Sequence, residues 1–116
     1  MELRILDLIG PRCIVKEDGQ RVYDMIHPVL SKGQTVMLDF EDVTQFASPF
    51  FNFAIGQLLK DITVGDLRRL LHVKNLVPDG RLVIERVIEN ASRYHTDVDY
   101  RKIVDAILEQ QAKESE

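Results

Sequence analysis

The chain has 116 residues, of which 45% are hydrophobic and 29% charged, and its formal net charge is −4. This length fits one domain that buries a core without disulfides or metals, and the acidic balance argues against nucleic acid as the main partner. No apolar run is long enough to span a bilayer, and charged residues interrupt the aliphatic N-terminus. We therefore expect a cytoplasmic protein with no signal peptide and no membrane association.

The first third of the chain predicts two short strands followed by a helix. Aliphatic residues dominate positions 3–9 and 13–15, and the acidic and glycine residues at 17–19 are typical of a turn. Apolar residues then recur at helical spacing over 22–30, where Pro28 removes a backbone hydrogen bond. The pattern predicts a helix from residue 22 that is either kinked or short.

Cys13 is the one cysteine of the chain, which excludes an internal disulfide and a cysteine-based metal cluster. Free cysteine is usually buried, so we expect Cys13 within the second strand. The alternative is a redox sensor.

The most informative stretch covers residues 35–59. Its apolar start, residues 36–40, is β-favouring and predicts a central parallel strand covered on both faces. Ser48 followed by Pro49 is typical of a helix start, with the serine as N-cap. The Ser48 hydroxyl is then expected at the carboxyl edge of a parallel sheet, where open α/β folds place their functional groups.

The remainder of the chain predicts a break at 61–66, a strand at 67–76 and a helix from about 78 to 94. Thr96 followed by Asp99 three residues later is a variant of the capping box and predicts the start of a last helix. We therefore expect an α/β domain over residues 1–95 and a C-terminal amphipathic helix within 96–116. That helix is expected to pack on the domain or on a second subunit. The residues that could build a homodimer share one helical stripe: Tyr100, Ile103, Val104, Ile107 and Leu108.

Residues 38–51 resemble, without gaps, the core motif of STAS domains (sulfate transporter and anti-sigma factor antagonist). Asp39, Val43, Thr44 and Ser48 coincide with that motif. The residues that depart from it lie around the serine: Ala47 replaces an acidic residue, and Pro49, Phe50 and Asn52 replace small ones. The chain is thus most similar to divergent STAS-like families of unknown function, and the implied fold is a mixed, mainly parallel sheet with helices.

The resemblance also implies a function. In bacterial anti-sigma factor antagonists a partner kinase phosphorylates the serine that matches Ser48, so the expected function is a non-enzymatic regulatory interaction module. The implied partner is a protein, a histidine-kinase-type ATPase or an anti-sigma factor. The residues expected to bind it are Thr44, Gln45, Ser48, Asn52 and Gln57.

Other interpretations remain open. Ser48 could be a plain helix cap, and Asp39, inside an apolar strand, is expected to be a structural carboxylate that accepts from amides of a neighbouring loop. The alternative function is a small nucleotide-binding or metal-dependent enzyme domain that uses Asp39, Asp42 and Ser48 at the sheet edge. We expect no catalytic residues, because Ser48 lacks the glycine-flanked elbow of a catalytic serine.

No metal or cofactor is expected. The acidic group Asp39, Glu41 and Asp42 could ligate magnesium as in receiver domains. A receiver domain, however, also needs a paired acidic motif after its first strand and a late lysine in matching places, and the first strand here ends in Gly10 and Pro11. The histidines, His27, His72 and His95, have no shared spacing typical of a ligand set.

Overall fold

The computed structural model describes residues 1–96 and 102–108. The elements follow one another as β1 (Glu2–Arg4), α1 (Ile5–Leu8), β2 (Arg12–Cys13), α2 (Lys16–Ser31), β3 (Val36–Asp39), β4 (Gln45–Phe46), α3 (Ser48–Ala54), a 3₁₀ helix (Gly56–Lys60), α4 (Val64–Leu70), β5 (Leu71–Lys74) and α5 (Pro78–Thr96). Residues 102–108 form a further helical segment.

The described strands form two parallel sheets. The larger has the order β1-β3-β5, with Leu38 opposite both Leu3 and Val73, and the smaller pairs β2 with β4. Val36 and Leu38 of β3 are fully buried, as expected for a central strand between two neighbours. The prediction of an α/β fold with a mainly parallel sheet and a central strand at β3 is confirmed.

The core lies between the sheet and the helices. The buried side of α2 carries Val22, Ile26 and Leu30 at helical spacing, and this helix packs against α3. Helix α5 packs against both α3 and the 3₁₀ helix. The apolar residues that follow Ser48 at helical spacing are all buried, although the helix changes to 3₁₀ geometry after Ile55: Phe50, Phe51, Ala54, Ile55, Leu58 and Leu59.

Two predictions for the first third of the chain were wrong. The predicted strand over 3–9 ends at Arg4, because Ile5 turns into α1 and is fully buried there. The predicted turn at 17–19 lies inside α2, and Pro28 does not shorten this helix of 16 residues. Gly19 is needed in the helix because a Cβ there would lie 2.9 Å from the Phe53 Cβ and would overlap the Phe50 carbonyl.

The strand predicted over 67–76 was half wrong, since its first part belongs to α4 and only Leu71–Lys74 is extended. The Thr63 side chain accepts from the Asp66 N–H at 3.1 Å and caps α4, and Gly65 lies within the helix. In α5, Leu82 is 56% exposed, whereas Ile84 is buried.

The C-terminal helix is described in part. Residues 102–108 are helical, and the Tyr94 hydroxyl donates to Asp105 Oδ1 at 2.6 Å. Tyr100 and the predicted cap at Asp99 lie outside the described residues, and the division near residue 95 stays a prediction. Among the described helices, none is long and apolar enough to cross a membrane.

Candidate partner-binding surface

The carboxyl ends of β3 and β5 are joined by a hydrogen-bonded carboxylate. Asp39 is 6% exposed, and its Oδ1 accepts from Asn75 Nδ2 at 2.9 Å and from the Glu41 N–H at 3.0 Å. These two donors, the Asn75 amide first, lower the pKa of Asp39 below its ordinary value. Asp39 therefore connects its own strand to the loop that follows β5.

Two ion pairs hold further charged residues of these strands and of the loop after β3. Lys74 Nζ lies 2.8 Å from Glu2 Oε1 and 4.0 Å from Asp39 Oδ2, and the hydrogen bond to Glu2 is the main cause that raises the pKa of Lys74. Arg4 lies 3.6 Å from Asp42 Oδ2. These ion pairs connect β5 to β1, and β1 to the loop that follows β3.

Two residues of this edge have left-handed backbone conformations, Asp42 with φ 63° and Asn75 with φ 60°. Aspartate and asparagine are among the few residues besides glycine that adopt this region often. At Asn75 the conformation ends β5 and accompanies the side-chain bond to Asp39.

The turn before α3 is fixed by backbone hydrogen bonds. The Pro11 carbonyl accepts from the N–H groups of Thr44 and Gln45 at 2.9 and 3.2 Å, and the Ala47 N–H donates to the Cys13 carbonyl at 2.9 Å. The β2–β4 pairing adds to these bonds. The backbone of residues 44–47 is therefore held in place, and the side chains of Thr44 and Gln45 project from it.

Ser48 is the first residue of α3, and the predicted cap was wrong. Ala47 occupies the N-cap position with φ −148° and ψ 157°, and the helix has no side-chain cap. An N-cap hydroxyl requires the extended backbone that belongs here to Ala47. Ser48 is exposed, and its hydroxyl does not serve as a cap.

The bulky residues beside Ser48 point into the core. Phe50 and Phe51 are fully buried, with ring centroids 5.3 Å apart, and the Phe51 ring also packs near those of Phe40 and Phe46. Because both rings are internal, they do not cover the Ser48 side chain.

This arrangement of a central parallel strand, a tied turn and a helix that starts at Ser48 lies within a stretch that matches a known family model. The model, STAS-like domain of unknown function (DUF4325), matches residues 18–81, more than half of the chain. The chain belongs to this family. Neither the comparison with curated proteins nor that with solved structures found a match. The resemblance seen in residues 38–51 is confirmed.

The residues predicted to bind a partner lie on the turn and on the helices that follow it. In the STAS-like domain Thr44, Gln45 and Asn52 are exposed, as is Ser48. Gln57 is half-buried, and its Nε2 donates to Gln20 Oε1 and to the Phe53 carbonyl, both at 2.8 Å.

Asn52 and Gln57 also face the C-terminal segment. Together with Val104 and Leu108 they line a largely apolar cleft of about 490 Å³. The helical segment 102–108 therefore lies beside one end of the predicted surface.

Two of the three residues of the alternative enzyme function, Asp39 and Asp42, are engaged in other contacts. Asp39 accepts from Asn75 and Glu41, and Asp42 lies beside Arg4. Within residues 1–96 and 102–108, no group of three or more His, Cys, Asp or Glu side chains is placed to hold a metal ion.

The histidines of the STAS-like domain do not form a catalytic relay in the described residues. His27 Nε2 lies 2.8 Å from Asp61 Oδ2 and 3.4 Å from Ser31 Oγ, so one nitrogen meets both groups, whereas a relay uses the two nitrogens separately. His72 is exposed on β5, and the side chain of His95 lies outside the description.

Cys13 is fully buried, and burial raises the pKa of its thiol to about 12, with a smaller contribution from Asp18. A thiol with this pKa is almost entirely protonated at neutral pH, which disfavours the redox-sensor interpretation because the thiolate is the reactive form.

Two surface residues beside the turn were missed from the sequence. Ile14 and Val15 were assigned to a strand, but β2 ends at Cys13 and these side chains are 37% and 48% exposed. The Ala47–Cys13 hydrogen bond brings their backbone next to the turn. Their position directly before the charged start of α2 was the available signal. We call Ile14, Val15, Thr44, Gln45, Ser48 and Asn52 the Ser48 surface.

Proposed function

We propose that this STAS-like domain is a non-enzymatic regulatory module that binds a protein partner through the Ser48 surface and releases it when Ser48 is phosphorylated. The observation that carries the proposal is the exposed Ser48 hydroxyl, which does not act as a cap and follows a turn fixed by backbone bonds. Such a hydroxyl is open to a kinase.

The surface combines apolar and polar groups in the way that partner-binding surfaces do. Ile14 and Val15 offer apolar area that a partner can cover, and Thr44, Gln45 and Asn52 offer hydrogen-bonding groups at its border. Burial of apolar area with a polar border is typical of protein interfaces. The fixed turn lowers the entropy lost on binding.

Release follows from charge and hydration. Phosphorylation adds about −1.5 to −2 charges at neutral pH, and a partner that covers Ile14 and Val15 must then desolvate that group. None of the six residues of the Ser48 surface carries a positive charge, so this surface itself offers no cation to neutralise the phosphate. The partner class implied by the family resemblance is a histidine-kinase-type ATPase or an anti-sigma factor.

The experiment is affinity purification from a lysate of the native host with the tagged chain, in parallel with Ser48→Ala, Ser48→Glu and the control Ser31→Glu. Ser31 is also an exposed helical serine but lies at the far end of α2. We expect one regulatory partner to be recovered with wild type, Ser48→Ala and Ser31→Glu and lost with Ser48→Glu. Equal recovery with both glutamate variants would refute the switch, and recovery that is unchanged by Val15→Asp would refute the surface.

A further inference from the structure

The outer edge of β5 carries backbone groups that point away from the sheet. The Phe40 N–H donates to the Lys74 carbonyl at 3.0 Å, so the backbone of Lys74 faces β3. Backbone groups alternate in direction along a strand, and those of Val73 therefore face outward. Arg81 Nη2 donates to the Val73 carbonyl at 3.2 Å from that side.

The groups left at this edge are the ones that an added strand needs. The Leu71 N–H donates to the Leu67 carbonyl at the end of α4. By the same alternation along the strand, the Leu71 carbonyl points outward like that of Val73. Within the part of the chain that the structure describes, the alternation along β5 directs the Val73 N–H away from β3, and this N–H makes no turn, loop or cap hydrogen bond to the backbone. An outward acceptor and an outward donor two residues apart are a template for strand pairing.

A cleft of about 380 Å³ lies along this edge. Its sides include Leu71, His72 and Val73 of the strand, and Ile84 and Ile88 of α5 form an apolar wall. The side chains of an extended chain alternate in direction, so every second one can enter such a cleft while its backbone pairs with β5.

The charges around the cleft favour an acidic occupant. Arg68 and Glu85 at the rim neutralise each other through two hydrogen bonds of 3.0 and 2.8 Å. Arg81 donates to a neutral carbonyl and has no carboxylate partner among the described residues, and His72 is exposed beside it. A second copy of this chain would bring the Arg81 rim against itself, which like charges oppose, whereas an acidic segment would pair with it.

We infer that the outer edge of β5 binds an extended, acidic segment of a partner protein as a fourth strand, with a carboxylate of that segment on Arg81. The strand pairs with the Leu71 carbonyl and the Val73 N–H. This site uses no residue of the Ser48 surface, so it is independent of the proposed switch.

The test uses the full chain and a fluorescent peptide of alternating valine and glutamate, blocked at both ends, with a valine and lysine peptide for comparison. Binding is measured by fluorescence anisotropy, and exchange of the Val73 amide by nuclear magnetic resonance with and without peptide. We expect the acidic peptide to bind, the lysine peptide not to bind, and exchange at Val73 to slow when peptide is added.

Two variants test the contacts. Val73→Pro removes the outward N–H at an edge position where proline is tolerated, and we expect it to abolish binding. Arg81→Glu should weaken binding at least about fivefold, the size expected for a reversed surface charge, while Arg86→Glu, on the same helix but outside the cleft, should not.

No binding of the acidic peptide at millimolar concentration would overturn the inference. Unchanged Val73 exchange in the bound state, or equal effects of Arg81→Glu and Arg86→Glu, would overturn it as well. The exchange measurement needs no variant, so it decides the case even if Val73→Pro does not fold.

Discussion

Asn75 connects two strands that are far apart in sequence. Its amide donates to Asp39 at 2.9 Å across 36 positions of the chain, from a left-handed backbone that glycine would also adopt. Asn75→Gly therefore removes the side chain while it keeps the backbone conformation. The substitution therefore tests the hydrogen bond between Asn75 and Asp39 by itself.

We predict that Asn75→Gly destabilises the domain in a pH-dependent way. The pKa of Asp39 is lowered in the folded state, so its ionised form stabilises the fold above the ordinary carboxyl pKa of about 3.9. This stabilisation is lost as pH falls through the lowered pKa. The urea midpoints of variant and wild type should differ at neutral pH and approach each other as the pH falls below the ordinary carboxyl pKa and through the lowered pKa of Asp39.

The control for this prediction is Asp39→Asn, alone and combined with Asn75→Gly. Because the two side chains form one contact, the double variant should cost less than the sum of the single ones. A midpoint difference that stays constant from neutral to acid pH would show that Asn75 acts through something other than the Asp39 carboxylate.

Two helical glycines differ in what surrounds them. At Gly19 of α2 a Cβ would overlap the Phe50 carbonyl and lie 3.1 Å from the Ala54 nitrogen, whereas at Gly65 of α4 it would meet nothing within 4 Å. The first glycine permits the close packing of α2 on α3. The second has no such contact.

We predict opposite effects of alanine at these positions. Gly19→Ala should lower the free energy of unfolding by about 1–3 kcal/mol, since backbone atoms cannot move away cheaply. Gly65→Ala should raise it by up to about 1 kcal/mol through helix propensity. Thermal and urea unfolding of both variants provides the comparison, and a stabilising Gly19→Ala would contradict the packing of α2 on α3.

The elements that the sequence predicted well were the central strand and the helix after Ser48. The strand at 36–39 and the buried helical face after Ser48 followed directly from their apolar residues. Positions 3–9 and 67–76 failed because short aliphatic runs fit a buried helix as well as a strand. At Thr63 and Asp66 a capping signal was present and was not used.

The candidate site could be predicted only in part. The motif around Ser48 indicated the turn and the helix, but the N-cap position falls on Ala47, and this depends on backbone geometry. The Asn75 contact to Asp39 and the exposure of Ile14 depend on pairings between distant segments. Patterns local in sequence contain no information on such pairings.

At the scale of the whole molecule, the C-terminal segment has apolar side chains on its surface. Ile103, Ile107 and Leu108 are 61%, 52% and 56% exposed in the described part of the chain. The predicted homodimer through this stripe stays a prediction. If the stripe forms the dimer, the double variant Ile103→Glu, Ile107→Glu should have the light-scattering mass of one chain, 13.4 kDa. Equal masses of variant and wild type would show that the stripe is not a dimer interface.

The central claim is that phosphorylation of Ser48 controls partner binding, and the most direct measurement is site-specific. The chain is isolated from the native host, separated by size into partner-bound and free fractions, and the phosphate on Ser48 is quantified by mass spectrometry in each. We expect an unmodified Ser48 in the bound fraction and a phosphorylated Ser48 in the free one. Equal occupancy in both fractions, or no phosphate in either, would contradict it.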